Sequence, residues 1–112
     1  MNGPRFAEDW IAAWNARDLE RILDHYAENI VLVSPTALKI TGAARIEGRN
    51  ALRHYWRRAL DETPVLHFTL VRFYEGPQCM TIAYLRNGQT HVSETLEFEN
   101  GKVARAVVTH SP

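Results

Sequence analysis

The residue best placed to do chemistry is Glu94. It lies in T-H-V-S-E-T-L-E-F-E, Thr90 to Glu99, where one alternate row reads Thr90, Val92, Glu94, Leu96, Phe98 and the other His91, Ser93, Thr95, Glu97, Glu99. Such alternation marks a strand with one buried and one wet face. The second row is wholly polar, so the first is the buried one, and Glu94 interrupts it between Val92 and Leu96. A carboxylate there loses hydration and must find a partner, stay protonated or face a cavity. Two outcomes carry no function: a one-residue bulge that turns Glu94 outward, or a structural hydrogen bond within the core. The third is a pocket in which a buried acid carries protons near neutral pH.

The other reactive residue types form no motif. Arg49, Arg53 and Arg57 fall in one helical line with Arg58 beside them, able to meet an anion but equally a solvated face. Cys79 is the only cysteine, which excludes an intrachain disulfide and fits a reducing cytoplasm. It has no electropositive neighbour in sequence, so it reads as a small core residue rather than a nucleophile. G-x-G-x-x-G, P-loop, H-x-x-x-H and cysteine-rich spacings are all missing, so neither a cofactor nor a metal is expected. Lys plus Arg equals Asp plus Glu at 13 each, a balance that argues against nucleic acid or anionic membrane as a partner. No window approaches the roughly 18 apolar residues of a membrane span, and the opening M-N-G-P-R-F lacks the apolar run of a signal peptide. The expectation is a cytoplasmic, single domain over residues 1–112.

Positioning Glu94 is the task of the elements around it. Phe6, Ala7, Trp10, Ile11 and Trp14 recur at helical spacing after Pro4. Asp18 reads as the N-cap of a second helix with Leu19, Ile22, Leu23 and Tyr26 on one face. Ile30 to Ser34 is a β-branched strand buried on both rows and ended by Pro35. Residues 37 to 47 predict a hairpin or irregular flap about Thr41-Gly42. Gly48-Arg49-Asn50 opens a third helix carrying Leu52, Tyr55, Trp56, Ala59 and Leu60. Val65 to Tyr74, Cys79 to Arg86, Thr90 to Glu99 and Val103 to His110 follow as strands, with Asn87-Gly88 and Asn100-Gly101 as hairpin turns. Helices first and a curled antiparallel meander last predict an α+β domain with about three helices against one sheet face.

Several phrases resemble a known group. W-I-A-A-W-N-A-R-D-L-E-R-I-L-D-H-Y-A-E-N-I-V-L-V-S-P, G-R-N-A-L-R-H-Y-W, N-G-Q and L-E-F-E-N-G-K-V are similar to the ketosteroid isomerase and SnoaL-like polyketide cyclase group. The likeness covers nearly the whole chain. It implies the cone-shaped α+β barrel of nuclear transport factor two, a fold that hosts unrelated chemistries. Of the isomerases' three catalytic positions, the second acid corresponds to Glu94. The carboxylate base corresponds to Ser34, whose hydroxyl takes up no proton near neutral pH, and the tyrosine to Trp10. Steroid isomerisation is therefore not implied.

The resemblance also implies which rows face the cone: Val65, His67, Thr69; Met80, Ile82, Tyr84; and Ala104, Ala106, Val108, His110. Trp10, Trp14, Tyr26 and Trp56 join them as ligand-binding aromatics, with Met80, Tyr84, Ala106, Val108, Ser34 and His110 lining the same site. Glu94 and His67 form the expected acid–base pair, suited to isomerisation, cyclisation, dehydration or epoxide opening on a small hydrophobic molecule. A metal held by His67, Glu94 and His110 has suitable ligand types but no supporting spacing. Two alternatives stand beside the enzyme: a non-catalytic ligand-binding protein, and a dimerisation or partner-docking module. A homodimer through the outer sheet face is expected in any of these.

Overall fold

Asn2 starts the first helix, its side-chain oxygen accepting from the Arg5 N–H at 3.0 Å while Pro4 sits in the first turn, where a missing N–H does no harm. The structure, a computed structural model, describes residues 2–112; Met1 lies outside it. Helix α1 (Gly3–Asn15) buries Ala7, Trp10, Ala13 and Trp14 along one stripe. Helix α2 (Leu19–Leu23) is capped by Asp18, which accepts from the Arg21 N–H. The periodicity predicts that α2 continues to Tyr26, but Tyr26 opens strand β1 (Tyr26–Val33). There Tyr26 pairs with Val103, whose N–H donates to the His25 carbonyl at 2.8 Å. Sheet pairing overrides one more turn of local helix preference.

Strand β1 buries Ile30 and Leu32 while Val31 and Val33 stay half-buried, so burial of both rows is only partly realised. Ser34 ends it as the N-cap of helix α3 (Pro35–Thr41), its hydroxyl accepting from the Thr36 and Ala37 N–H groups. This helix replaces the hairpin or flap predicted for residues 37–47. Gly42 is its left-handed terminator at φ +85°, a conformation that costs a residue with a Cβ. Strand β2 (Arg45–Glu47) then pairs antiparallel with β1. Helix α4 (Arg49–Glu62) buries Leu52, Tyr55, Trp56 and Leu60, and the Arg17 guanidinium donates to the Leu60 and Thr63 carbonyls at its C-terminal end. The described residues form four helices, α3 being the addition to the about three expected. The arginine line on α4 is partly neutralised, Arg53 meeting Glu20 and Arg49 meeting Glu28.

The meander consists of β3 (Phe68–Gly76), β4 (Cys79–Arg86), β5 (Thr90–Glu99) and β6 (Lys102–His110). The six strands run in the order β2-β1-β6-β5-β4-β3, antiparallel except for β1 beside β6. Irregularities at Leu70/Arg72, Glu97/Phe98 and Tyr26/Val31 break the register, and bulges of this kind bend and twist a sheet. Helix α1 lies against β3 and α4 against β1. The result is the expected α+β cone, a curved and mostly antiparallel sheet with helices over its inner face. No helix among the described residues is long and apolar enough to cross a membrane.

Two inward rows differ from those the resemblance implies. On β3 and its lead-in, Phe68 is buried and Leu66 and Leu70 are half-buried, whereas Val65, His67 and Thr69 are exposed. Paired amide contacts set this register. Asn15 accepts from the Phe68 N–H at 2.7 Å and donates to its carbonyl at 2.9 Å, while Asn87 bonds the His67 N–H and the Val65 carbonyl. The more apolar row thus turns inward, as burial energetics favour. On β6, the Glu97/Phe98 irregularity places Val103 opposite Phe98 and Arg105 opposite Glu97. Val103 therefore joins Ala106 and Val108 inside, and Ala104 is only half-buried.

Candidate functional site

Antiparallel register stacks the inner face of β4, β5 and β6 in rungs. Met80, Leu96 and Ala106 make one; Ile82, Glu94 and Val108 the next; Tyr84, Val92 and His110 the third. Arg86 continues the β4 row one step further, opposite Thr90 and Phe68. The first rung is packed shut by apolar side chains. From the second outward a cavity of about 680 Å³ opens, within the roughly 300–1,000 Å³ typical of small-molecule sites. Phe68, Trp14, Trp56 and Leu32 give it apolar walls, and α3 adds Ile40 at one side. Its polar points include Glu94, Tyr84, Tyr55, Ser34, His110 and Arg86, with Lys39, Arg58 and Glu62 also in the lining.

Glu94 is inward and only 6% exposed, with no bulge turning it away. The Tyr84 hydroxyl donates to its Oε2 at 2.6 Å, a short bond of the charge-assisted kind. Burial pushes the Glu94 carboxyl up to about 7, with the Tyr84 bond partly opposing. Both protonation states are therefore populated near neutral pH. Tyr84 is stacked on Phe68 with centroids 4.2 Å apart, which fixes its hydroxyl, and burial followed by the Glu94 charge holds its phenol well above its usual range. Burial also raises Tyr55 to about 12, against a smaller lowering by the Ser34 hydroxyl. His110 is shifted the other way, towards the neutral imidazole, by burial and then by the Arg86 charge. The site thus offers one proton-exchanging carboxyl, neutral hydroxyl and imidazole groups, and one half-buried cation, Arg86.

The predicted site residues divide into three groups. Trp14, Ser34, Trp56, Tyr84, Glu94, Val108 and His110 line the cavity. Trp10, Tyr26, Met80 and Ala106 do not; they are buried core. Trp10 donates its indole N–H to the Tyr26 hydroxyl at 2.9 Å, and burial, followed by the Glu94 charge, keeps that phenol protonated. Met80 and Ala106 fill the closed rung. His67 stands alone on the exposed outer row, so the Glu94–His67 pair does not form, nor does a His67–Glu94–His110 metal set. Among the described residues no three of His, Cys, Asp and Glu converge on one point.

Among the lining residues that the sequence does not point to, three bear on the chemistry: Tyr55, Phe68 and Arg86. Tyr55 reads from its spacing only as part of a helix stripe, and Phe68 falls outside the row that the resemblance turns inward. Arg86 was discoverable from alternation, since Met80, Ile82, Tyr84 and Arg86 are one row, but a charged strand end ordinarily faces water.

Comparison with known proteins follows the same outline. A sequence model described as the SnoaL-like domain matches residues 7–106. No curated protein matches the chain. Among solved structures, a SnoaL-like protein of unknown function from Burkholderia thailandensis is 32% identical, with TM-score 0.90 over 97% of this chain and 94% of that one. A putative polyketide cyclase from Sinorhizobium meliloti shares the fold at 13% identity and TM-score 0.78, covering 95% and 94% of the two chains. A hypothetical protein from Catenulispora acidiphila with a ketosteroid isomerase-like fold, solved with trimethylamine, does so at 16% identity and TM-score 0.76, covering 98% and 88%.

Proposed function

The chain belongs to the SnoaL-like domain family, and from that membership we propose that its cavity is a small-molecule site in which Glu94 exchanges protons with a hydrophobic substrate, without a cofactor. The observation that carries this reading is the Glu94 carboxyl, buried at the cavity's inner end, oriented by the Tyr84 hydroxyl at 2.6 Å and raised to about 7. A group poised near the working pH both gives and takes a proton readily. Tyr55 and neutral His110 supply hydrogen-bond donors that orient the polar part of a substrate. The reaction class is isomerisation, cyclisation, dehydration or epoxide opening.

The test is a thermal-stability screen of small hydrophobic ketones, acids and epoxides against wild type and Glu94→Gln, with turnover assays on each compound that shifts wild type. A ligand specific for the native state raises the melting temperature by mass action. Turnover lost in Glu94→Gln, with the fold retained, supports the proposal; undiminished turnover sinks it. Saturable binding without turnover would instead identify a ligand-binding protein.

One observation favours a partner-docking surface in addition. Tyr74, on the outer row of edge strand β3, is 56% exposed, and Val71, at the register break of the same strand, is exposed as well. We propose that the outer sheet face joins two copies in a homodimer. Light scattering that finds only 12.8 kDa particles at high concentration overturns it. Free Cys79 supports a reducing, cytoplasmic setting.

A further inference from the structure

Four arginines are half-buried: Arg21, Arg49, Arg53 and Arg86. The first three meet carboxylates, Arg21 at Asp9, Arg49 at Glu28 and Asp24, and Arg53 at Glu20. Arg86 meets none within 4 Å among the described residues, and it is the one that lines the cavity. A guanidinium drawn partly out of water is unfavourable unless something negative or hydrogen-bonding compensates it. Its neighbours there offer little negative charge. Tyr55 and Tyr84 are protonated phenols and His110 is held towards neutrality, each of them feeling the Arg86 charge.

The rest of the lining does not neutralise it either. Glu62 is taken up by Arg58 at 3.1 Å, and Lys39 adds a second cation to the rim without an acid partner among the described residues. Glu94 is bonded to Tyr84 and forms no ion pair with Arg86. The cavity of a chain with no net charge therefore has a positive mouth and a carboxyl at its inner end.

We infer that Arg86 is the anchor for a ligand carboxylate, so that the molecule this cavity takes is an amphipathic carboxylic acid. Its carboxylate sits at Arg86 beside His110 and Tyr55, its apolar body lies between Trp56, Phe68 and Val108, and its far end reaches Glu94. The planar guanidinium matches a carboxylate in bidentate fashion, while a single arginine with apolar walls behind it is a poor seat for a polyphosphate. The strand register keeps the anchor and the proton carrier apart. Arg86 is four residues along β4 from Ile82, the partner of Glu94, or roughly 13 Å of strand at about 3.3 Å per residue. The inference rests on the preceding reading of the cavity as a small-molecule site with Glu94 as its proton carrier.

The test is isothermal titration of phenylbutyrate and its neutral isostere phenylbutyramide into wild type, Arg86→Gln, Arg86→Lys and Glu94→Gln. A pH of about 6 keeps the ligand ionised and Glu94 mostly neutral. Melting curves establish that each variant is folded. The expected result is an acid bound at least about tenfold more tightly than the amide by wild type, the size of one charge-assisted hydrogen-bonded contact. That preference disappears in Arg86→Gln, persists in part in Arg86→Lys and survives in Glu94→Gln. Equal affinities in wild type, a preference that survives Arg86→Gln, or no binding of the acid up to its solubility limit overturns the inference. Failure of the proton-carrier reading looks different: the acid preference is present and Arg86-dependent, yet Glu94→Gln leaves turnover intact.

Discussion

The two ends of the cone are built from the same three strands in the same alternation, yet they do opposite things. At the narrow end Met80, Leu96 and Ala106 belong to the solid core that also holds Trp10 and Tyr26. One rung up, Glu94 replaces an apolar side chain and the packing stops; one or two rungs further, His110 and Arg86 line open space. The lesson is that an inward row does not by itself define a site. Side chains in such a row pack where the core closes over them and become available to a ligand where a cavity opens beside them.

The largest effect should come from the closed end. Leu96→Ala removes a fully buried side chain and should cost about 2–5 kcal/mol, or roughly 10–20 °C of melting temperature for a chain of this size. Val108→Ala, at the cavity wall, should cost less than half as much, because it enlarges an existing space instead of creating one. Denaturant titration of both variants makes the comparison. Equal losses would break the division between packed and open ends.

Glu94→Gln should act in the opposite sense, and only above acid pH. The carboxyl titrates near 4.5 when unfolded and near 7 when folded, so the folded state holds the proton more tightly. Stability is complete below the unfolded value, falls as pH rises between the two, and stays low beyond the folded one. At about pH 8 the glutamine variant should therefore be more stable than wild type by about 3 kcal/mol, the gap closing towards pH 4.5. Melting curves across that range check the sign. Tyr84→Phe sharpens the same point: the lost hydrogen bond stabilised the ionised carboxyl, so Glu94 should titrate about one unit higher, readable from its carboxyl carbon by NMR.

Local pattern made one part of this arrangement legible. The wholly polar companion row of β5 leaves Glu94 nowhere but inside, and the Asn-Gly pairs mark the hairpins because both lie at positive φ, where most side chains are strained. Bulges were not legible. The break at Glu97/Phe98 swaps Val103 for Ala104, and no residue there announces it. Ser34 reads as a strand end because its two roles share a backbone: it finishes β1 in extended conformation and caps α3 in that same conformation. The α3 segment P-T-A-L-K-I-T mixes β-branched and helix-forming residues, and only its capped start and left-handed end decide the outcome. Arg86 needed the cavity itself, since a cation at a strand end ordinarily has water to face.

His67 and His110 give the smallest predicted effect and the strictest check on the comparison. Both are histidines near strand ends, and both were implied to be inward by resemblance alone. The tertiary contacts separate them: Asn87 and Asn15 hold the β3 lead-in so that Phe68, not His67, stacks on Tyr84, while His110 keeps the parity of Ala106 and Val108 along β6. His67→Ala should therefore leave stability within about 0.5 kcal/mol, as for exposed sites without special roles, and leave phenylbutyrate affinity unchanged. His110→Ala should weaken that affinity several-fold, by about one neutral hydrogen bond. Titration calorimetry on the two variants decides it. A loss of binding in His67→Ala would mean that β3 shifts by one residue when the cavity is occupied, because a one-residue slip exchanges the inner and outer rows.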